Sequence, residues 1–280
     1  MSISVIILTF NSEKTISGTI ESALQVSDDI HLVDSFSTDK TLLLAAQFKV
    51  NLVQHEFDSY GLQRNWAIEH LPLKYAWELH LDADERLSEE LIRQLNSLKS
   101  HFPGGVDGYY LPRLVHFMGR PIRHGGMFPI WHLRLFRHGQ GRCEERQYDQ
   151  HFYVAGPTGR LQGAMIDDIC MSLSDWTIRH NRWSDAEVRE LSGDETTGRI
   201  QGSLRGTPVE KKRVLHSFYN NFPLFIRAFL LFIYRYFIRL GFLDGKEGLI
   251  FFVLQTFWFR FLVDAKLYEA RLPKGKQSHD

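Results

Sequence analysis

Short apolar runs alternate with segments of helical spacing through the first hundred residues. Ser2 to Thr9 is apolar and rich in β-branched residues, the pattern of a strand buried on both faces. Asn11-Ser12 punctuate it, and Glu13 to Leu24 then places Ile16, Ile20, Ala23 and Leu24 at helical intervals. Asp29 to Asp34 predicts a second strand, Asp39 to Phe48 a second helix and Val50 to Gln54 a third strand. Gly61 to His70 predicts a helix and Tyr75 to Leu81 a fourth strand. Such a succession of βα units implies an α/β fold: a mostly parallel sheet with helices on both faces.

The fourth strand ends in Asp82-Ala83-Asp84, and a helix is expected at once, with Ser88 as N-cap and Glu89 and Glu90 in its first turn. From Gly104 the texture changes. Tyr109 to Pro112 and His132 to Phe136 read as strands around a Gly, Pro, Arg and His-rich loop, Gly119 to Pro129. Residues 173–190 return to helical spacing, and 191–208 form a polar connector. Beyond it, residues 214–263 hold 16 of the 37 aromatics, in two helical stretches of about 212–240 and 246–270 around the turn Leu243-Asp244-Gly245-Lys246. The expected division is therefore a catalytic domain over 1–205 and a basic, aromatic helical hairpin over 206–280.

Charge sharpens that division. Residues 1–204 carry 20 Lys/Arg against 27 Asp/Glu, whereas 205–280 carry 13 against 6, although the whole chain is formally neutral. A basic extension suggests an anionic partner. Arg227, Arg235 and Arg239 project into roughly a 120° arc of a helix, opposite a Phe/Leu/Ile surface, as in a helix lying in an anionic membrane interface. Packing on the first domain, or on a second copy in a homo-oligomer, is the plainer reading. Nucleic acid is disfavoured, because the basic segment is apolar and aromatic throughout. No charge-free apolar run reaches the ~18 residues of a membrane span, the longest being Gly248 to Phe259. With only Cys143 and Cys170, and a first strand starting at Ser2 or Ile3, the expected location is cytoplasmic, peripheral on the inner membrane.

In open parallel sheets ligands bind beyond the carboxyl ends of the strands. Thr9 and Asn11, Asp34 with Ser35 to Asp39, Gln63-Arg64-Asn65, and Asp82 with Asp84 all fall there. Carboxylates for a base, a ribose and a metal, plus an arginine for phosphate, suit a nucleoside diphosphate. Singly, each has a plainer role as a helix cap, a turn residue or a surface ion pair. His124, His132 and His151 lack zinc spacing.

The segments Val5 to Asn11, Val33 to Thr41, Gln63 to Ala67 and Leu81 to Glu85 resemble the family 2 glycosyltransferases of GT-A fold, a Rossmann-like architecture. Within that family the chain looks most like bacterial lipopolysaccharide-core and exopolysaccharide β-glucosyltransferases, a likeness shared by Leu133 to Arg137 and Gly241 to Gly248. The resemblance implies inverting transfer of a hexose, glucose in the nearest group, from a UDP-sugar to a membrane-associated or lipid-linked glycan. Thr9, Asn11, Asp34 and Arg64 would hold the nucleotide, joined by Asp82. Asp82 and Asp84 would hold Mg²⁺ or Mn²⁺ on the diphosphate.

Three departures stand out. Where relatives show a His-Glu pair after Leu-Arg-Leu-Phe-Arg, this chain has Arg142 to His151. Asp149, followed by Gln150-His151, is then the first choice for the base, with Glu144 and Glu145 as alternatives. Phe36 stands where relatives commonly carry glycine, and Leu62 where lysine is frequent. Arg123, His124 and Trp131 are the expected acceptor-side residues, by phosphate pairing and sugar stacking. Two rival functions remain open: a phosphatase with a nucleophilic aspartate, and a nucleotide-binding scaffold without turnover.

Overall fold

The computed structural model describes residues 2–100, 102–146, 149–193 and 200–272. They pack as two units: Met1–Arg123 with Met127–Cys170, and His124–Gly126 with Met171–Asp280.

The first unit opens with β1 (Ile3–Thr9), α1 (Ile16–Leu24), β2 (Ile30–Asp34), α2 (Thr41–Ala45), β3 (Asn51–Gln54), α3 (Tyr60–His70) and β4 (Trp77–Asp82). β1 lies between β2 and β4, parallel to both, which is why its residues are almost all buried. Ile16, Ile20 and Ala23 form the buried stripe of α1, and Trp77 stacks on Phe102 at 4.1 Å in the same core. Two helices are shorter than their periodicity suggests. Residues 11–15 are held as a loop instead, with Ser12 N donating to Thr41 Oγ1 (2.7 Å) and Glu13 N to Asp39 Oδ2 (3.1 Å).

The helix expected directly after Asp84 is preceded by a three-residue strand, β5 (Glu85–Leu87). α4 (Glu89–Ser100) then starts as expected, with Ser88 Oγ accepting from Leu91 N at 3.3 Å and two acids in its first turn. β6 (Gly108–Phe117), β7 (Arg120–Pro121), β8 (Ile130–Arg137), β9 (Gly141–Cys143), β10 (Phe152–Val154), β11 (Thr158–Arg160) and β12 (Met165–Ile169) follow. The main sheet runs β3-β2-β1-β4-β8-β6-β12-β5, with β7 and β11 also on β6, and β9 pairs β10 separately. β8 runs antiparallel to β4 and β6, so the sheet is parallel on one side and mixed on the other.

In the second unit α5 (Leu173–Leu191) packs along the last helix, so the helical region begins well before the composition shift at 205. Residues 194–199 of the polar connector lie outside the described residues. α6 (Pro208–Asn220) opens with a capping box, Thr207 Oγ1 accepting from Glu210 N and Glu210 Oε2 from Thr207 N. α7 (Ile226–Ile233) is a separate helix that continues as a π-helical turn through Ile238, so the stretch expected over 212–240 is interrupted around Pro223. A 3₁₀ turn, Gly241–Asp244, leads into α8 (Gly245–Phe252), a π-helical segment and α9 (Phe259–Ala270).

Two expectations are corrected here. Gly241–Ala270 forms one helical run of 30 residues that is long and apolar enough to cross a membrane by length and composition alone, with 39% of its most apolar window buried within the fold. The charge-free criterion missed it because isolated charges do not end the helix. Arg227 is buried, with Nε 2.7 Å and Nη2 2.5 Å from Asp264 Oδ1, and does not share an exposed face with Arg239.

Candidate active site

Thr9 and Asp34 are paired positions at the ends of neighbouring strands β1 and β2. Asp34 is fully buried and organises the loop behind it. Its Oδ1 accepts from Ser37 Oγ (2.5 Å), and its Oδ2 from Ser37 N (2.9 Å) and Gln54 Nε2 (3.0 Å). Asn11, at φ +47°, ties the two loops together: its N donates to Ser37 Oγ (2.9 Å) and its Oδ1 accepts from Thr38 N (2.8 Å). The buried hydroxyl of Thr9 has no hydrogen-bond partner. Neither Thr9 nor Asn11 caps α1, which begins at Ile16.

Across β1, the end of β4 carries a charge cluster. Asp82 Oδ1 accepts from Arg64 Nη2 at 2.7 Å, and Oδ2 from Arg134 Nη2 at 2.8 Å. The same Arg134 nitrogen donates to Glu85 Oε1 at 2.9 Å, while Glu85 Oε2 accepts from Asp82 N at 3.0 Å. Burial alone would raise the Asp82 carboxyl, but Arg134 and Arg64 outweigh it and hold it well below the usual carboxylate range. Glu85 moves the other way. Burial pushes it up to about 7 against the pull of Arg134, with the charges of Asp82 and Asp167 adding to the rise. Arg134 is 4% exposed and its Nη1 is buried without a partner. An unused guanidinium donor beside a doubly paired carboxylate suits an arriving anion.

Asp84 occupies the turn between β4 and β5, half-buried, its carbonyl accepting from Asp168 N at 3.0 Å. Among the described residues no group of three or more His, Cys, Asp or Glu side chains could enclose a metal. With both Asp82 oxygens already paired, a divalent cation here would rest on Asp84 and on phosphate oxygens. That donor set fits Mg²⁺ or Mn²⁺ bound with a nucleoside diphosphate, since such ions keep few protein ligands.

The β9–β10 arm is fastened beside this cluster. Asn65 mimics a strand: its Oδ1 accepts from Cys143 N (2.8 Å), and its Nδ2 donates to Cys143 O (3.0 Å) and Glu145 Oε1 (3.3 Å). The ring of Phe152 lies 5.1 Å from the guanidinium of Arg64 and 6.0 Å from that of Arg134. Glu144 is buried, its Oε2 accepting from His151 N at 3.0 Å, so both glutamates hold the arm in place. Asp149, at φ +55°, is half-buried with its carboxylate 3.3 Å from His151 Nε2. Gln150 turns away to the carbonyl of Arg146 (2.7 Å), so of the expected pair only His151 orients Asp149.

On the acceptor side, Arg123 is exposed, and Trp131 is half-buried under Arg160, whose guanidinium lies 4.9 Å from the indole. His124 belongs instead to the helical unit, where Asp244 takes its N (2.9 Å) and Nδ1 (2.6 Å). From the sequence, Asn65 was named only alongside Arg64 and His151 only as a partner of Asp149, while Arg134 and Glu85 were given no role of their own. Arg134 alone carried a signal, as a charge set between leucines in a strand-like run.

The sequence profile described as "Glycosyl transferase family 2" matches residues 4–156. Uncharacterised glycosyltransferases of Rickettsia conorii and Rickettsia felis are 36% and 37% identical to the chain over 282 residues. Each match covers 96% of this chain, and 91% and 90% of those relatives respectively. A third relative, from Rickettsia bellii, is 37% identical over 89 residues, covering 32% of this chain and 30% of its own length. Among solved structures, a mannosyltransferase of Pyrobaculum calidifontis in complex with GDP-Man and Mn²⁺ is similar in fold, with TM-score 0.51 and 13% identity over 96% of this chain and 88% of that one. The matched profile covers more than half of the chain and takes in both strand-end clusters: the chain belongs to glycosyl transferase family 2.

Proposed function

We propose that the protein moves a hexose, glucose, from a UDP-sugar to a hydroxyl of a lipid-linked, lipopolysaccharide or exopolysaccharide acceptor, with inversion and with Mg²⁺ or Mn²⁺. The observation that carries this reading is the strand-end cluster in which Arg64 and Arg134 hold Asp82, two residues before Asp84 and across β1 from Asp34. Thr9, Asn11 and Asp34 face the nucleoside, and the free Nη1 of Arg134 meets the diphosphate. A bound divalent ion would neutralise charge on that diphosphate.

In the transfer step the acceptor oxygen bonds to the anomeric carbon from the face opposite the diphosphate, whose bond to that carbon breaks. The hydroxyl proton passes to Asp149, which His151 orients. Trp131 and Arg123 border the acceptor. Phe237, Ile238, Leu240, Phe242 and Leu243 are exposed apolar residues beside the exposed Arg239, in keeping with a peripheral seat on an anionic cytoplasmic membrane face.

The test is UDP release from a panel of UDP-hexoses with Mn²⁺, using the wild type and Asp84→Asn. Turnover of UDP-glucose that disappears with EDTA and in Asp84→Asn is expected. Equal turnover in the variant, or phosphate release from phosphomonoesters without any nucleotide requirement, would overturn the reading.

A further inference from the structure

Phe36 follows β2 by two residues and adopts φ +59°, a left-handed conformation that glycine enters freely and a phenylalanine rarely takes. Its neighbours are pinned on either side. Ser35 N donates to Thr9 O (3.0 Å) and Ser35 Oγ accepts from Gln63 Nε2 (3.2 Å). Ser37 donates twice to Asp34 and accepts from Asn11 N. Between these anchors Phe36 is 54% exposed. The residue therefore bears backbone strain without recovering it by burial in the fold. Strain of this kind persists at sites where a bound partner makes use of it.

Phe10 shares the exposure, though not the left-handed backbone, on the neighbouring loop. It follows Thr9, which pairs with Asp34 in the register of β1 and β2, and is 58% exposed. Two uncovered aromatic rings thus stand at adjacent strand ends, within two residues of Thr9 and Asp34. A flat heteroaromatic ring is the ligand chemistry such faces recognise, because stacking needs area rather than a particular hydrogen-bond pattern.

We infer that Phe36 is a donor-binding residue that stacks on the nucleobase. The inference rests on the proposed nucleotide-sugar reading and adds the group that grips the base, apart from those that hold the diphosphate. Glycine at this position would ease the backbone and lose the grip, so stability and affinity would move in different directions.

The experiment compares wild type, Phe36→Gly and Phe36→Trp as full-length chains by calorimetric titration with UDP and with pyrophosphate, both with Mn²⁺, and by thermal melting. Phe36→Gly is expected to melt no lower than wild type and to bind UDP about tenfold more weakly, within the range of a lost base–aromatic stack. Its pyrophosphate affinity should be unchanged, and Phe36→Trp should keep wild-type affinity for UDP. Equal UDP affinity in Phe36→Gly, an equal loss for pyrophosphate, or a melting point several degrees below wild type would overturn the assignment. Wild-type protein that binds no UDP would instead bring down the nucleotide-sugar reading, and this inference with it.

Discussion

Replacing Arg134 with methionine removes the charge shared by Asp82 and Glu85 while keeping an unbranched chain in the space. Asp82 keeps Arg64 at 2.7 Å, so its ionisation survives. Glu85, 2% exposed, keeps only the hydrogen bond from Asp82 N. Losing two hydrogen bonds donated by a charged guanidinium costs about 3–6 kcal/mol, and new apolar contacts of the methionine return part of it; about 3 kcal/mol is expected at pH 6.

The pH dependence makes the prediction specific. In the wild type Glu85 titrates near 7 in the fold and near 4.5 when unfolded, so the native state holds the extra proton between those values. Stability therefore falls as pH rises from 4.5 to 7 and is flat for this group above 7. Without Arg134, which pulls the Glu85 value down, the decline continues beyond pH 7 at up to about 1.4 kcal/mol per pH unit. The gap between wild type and variant should be about 1 kcal/mol wider at pH 8 than at pH 6. Urea unfolding followed by tryptophan fluorescence at the two pH values measures it. A gap that is absent, or the same at both, would refute the shared-charge account.

Other outcomes follow from the same geometry. Asp149→Asn should retain UDP binding by calorimetry and lose transfer by at least a hundredfold, the scale of general-base catalysis; retained transfer would move the base to Glu144 or Glu145. Burial lowers His180 to about 4 between Trp176, Trp183 and Phe259, so its share of stability, present above 6.5, is lost as pH falls toward 4, by about 3 kcal/mol. A His180→Gln variant should lack that part of the acid sensitivity in urea titrations at pH 6.5 and 4.5. Arg227→Met should destabilise by about 3–5 kcal/mol, because Asp264 is left a buried charge without its cation and with only Phe225 N donating to it, yet leave sedimentation with anionic vesicles unaltered for the fraction that folds. Arg239→Glu with Phe237→Ser should weaken that sedimentation while the melting point holds.

The parallel half of the sheet was readable because each strand is a short apolar run followed by a helical period, a local signal that burial then enforces. β5 was not, since Glu85-Arg86-Leu87 becomes a strand only by pairing with Met165, Ile166 and Asp167 far along the chain. That Thr9, Asp34, Asp82 and Asp84 lie at or just beyond strand ends, with Arg64 on the third helix, was legible from the edge rule, but their hydrogen-bond partners were not. That Arg134 would bridge Asp82 and Glu85 depends on β8 lying antiparallel beside β4. A helical projection put Arg227 in one arc with Arg239, because it is blind to Asp264 on another helix. The start of α1 was misjudged for a related reason, although its end at Leu24 was not: side chains of Asp39 and Thr41 hold residues 12 and 13 outside it.

Residues 124–126 join the helical unit while Arg123 and Met127 remain with the sheet. Asp244 holds His124, Gly125 N donates to Arg239 O at 2.9 Å, and Phe252 leaves no room for a side chain on Gly125. During synthesis this tripeptide emerges more than a hundred residues before the groups that receive it. The loop from Gly119 to Trp131 thus stays unfinished until the last helices have been made, and a chain cut after Cys170 would leave it with both ends anchored and its middle unclaimed.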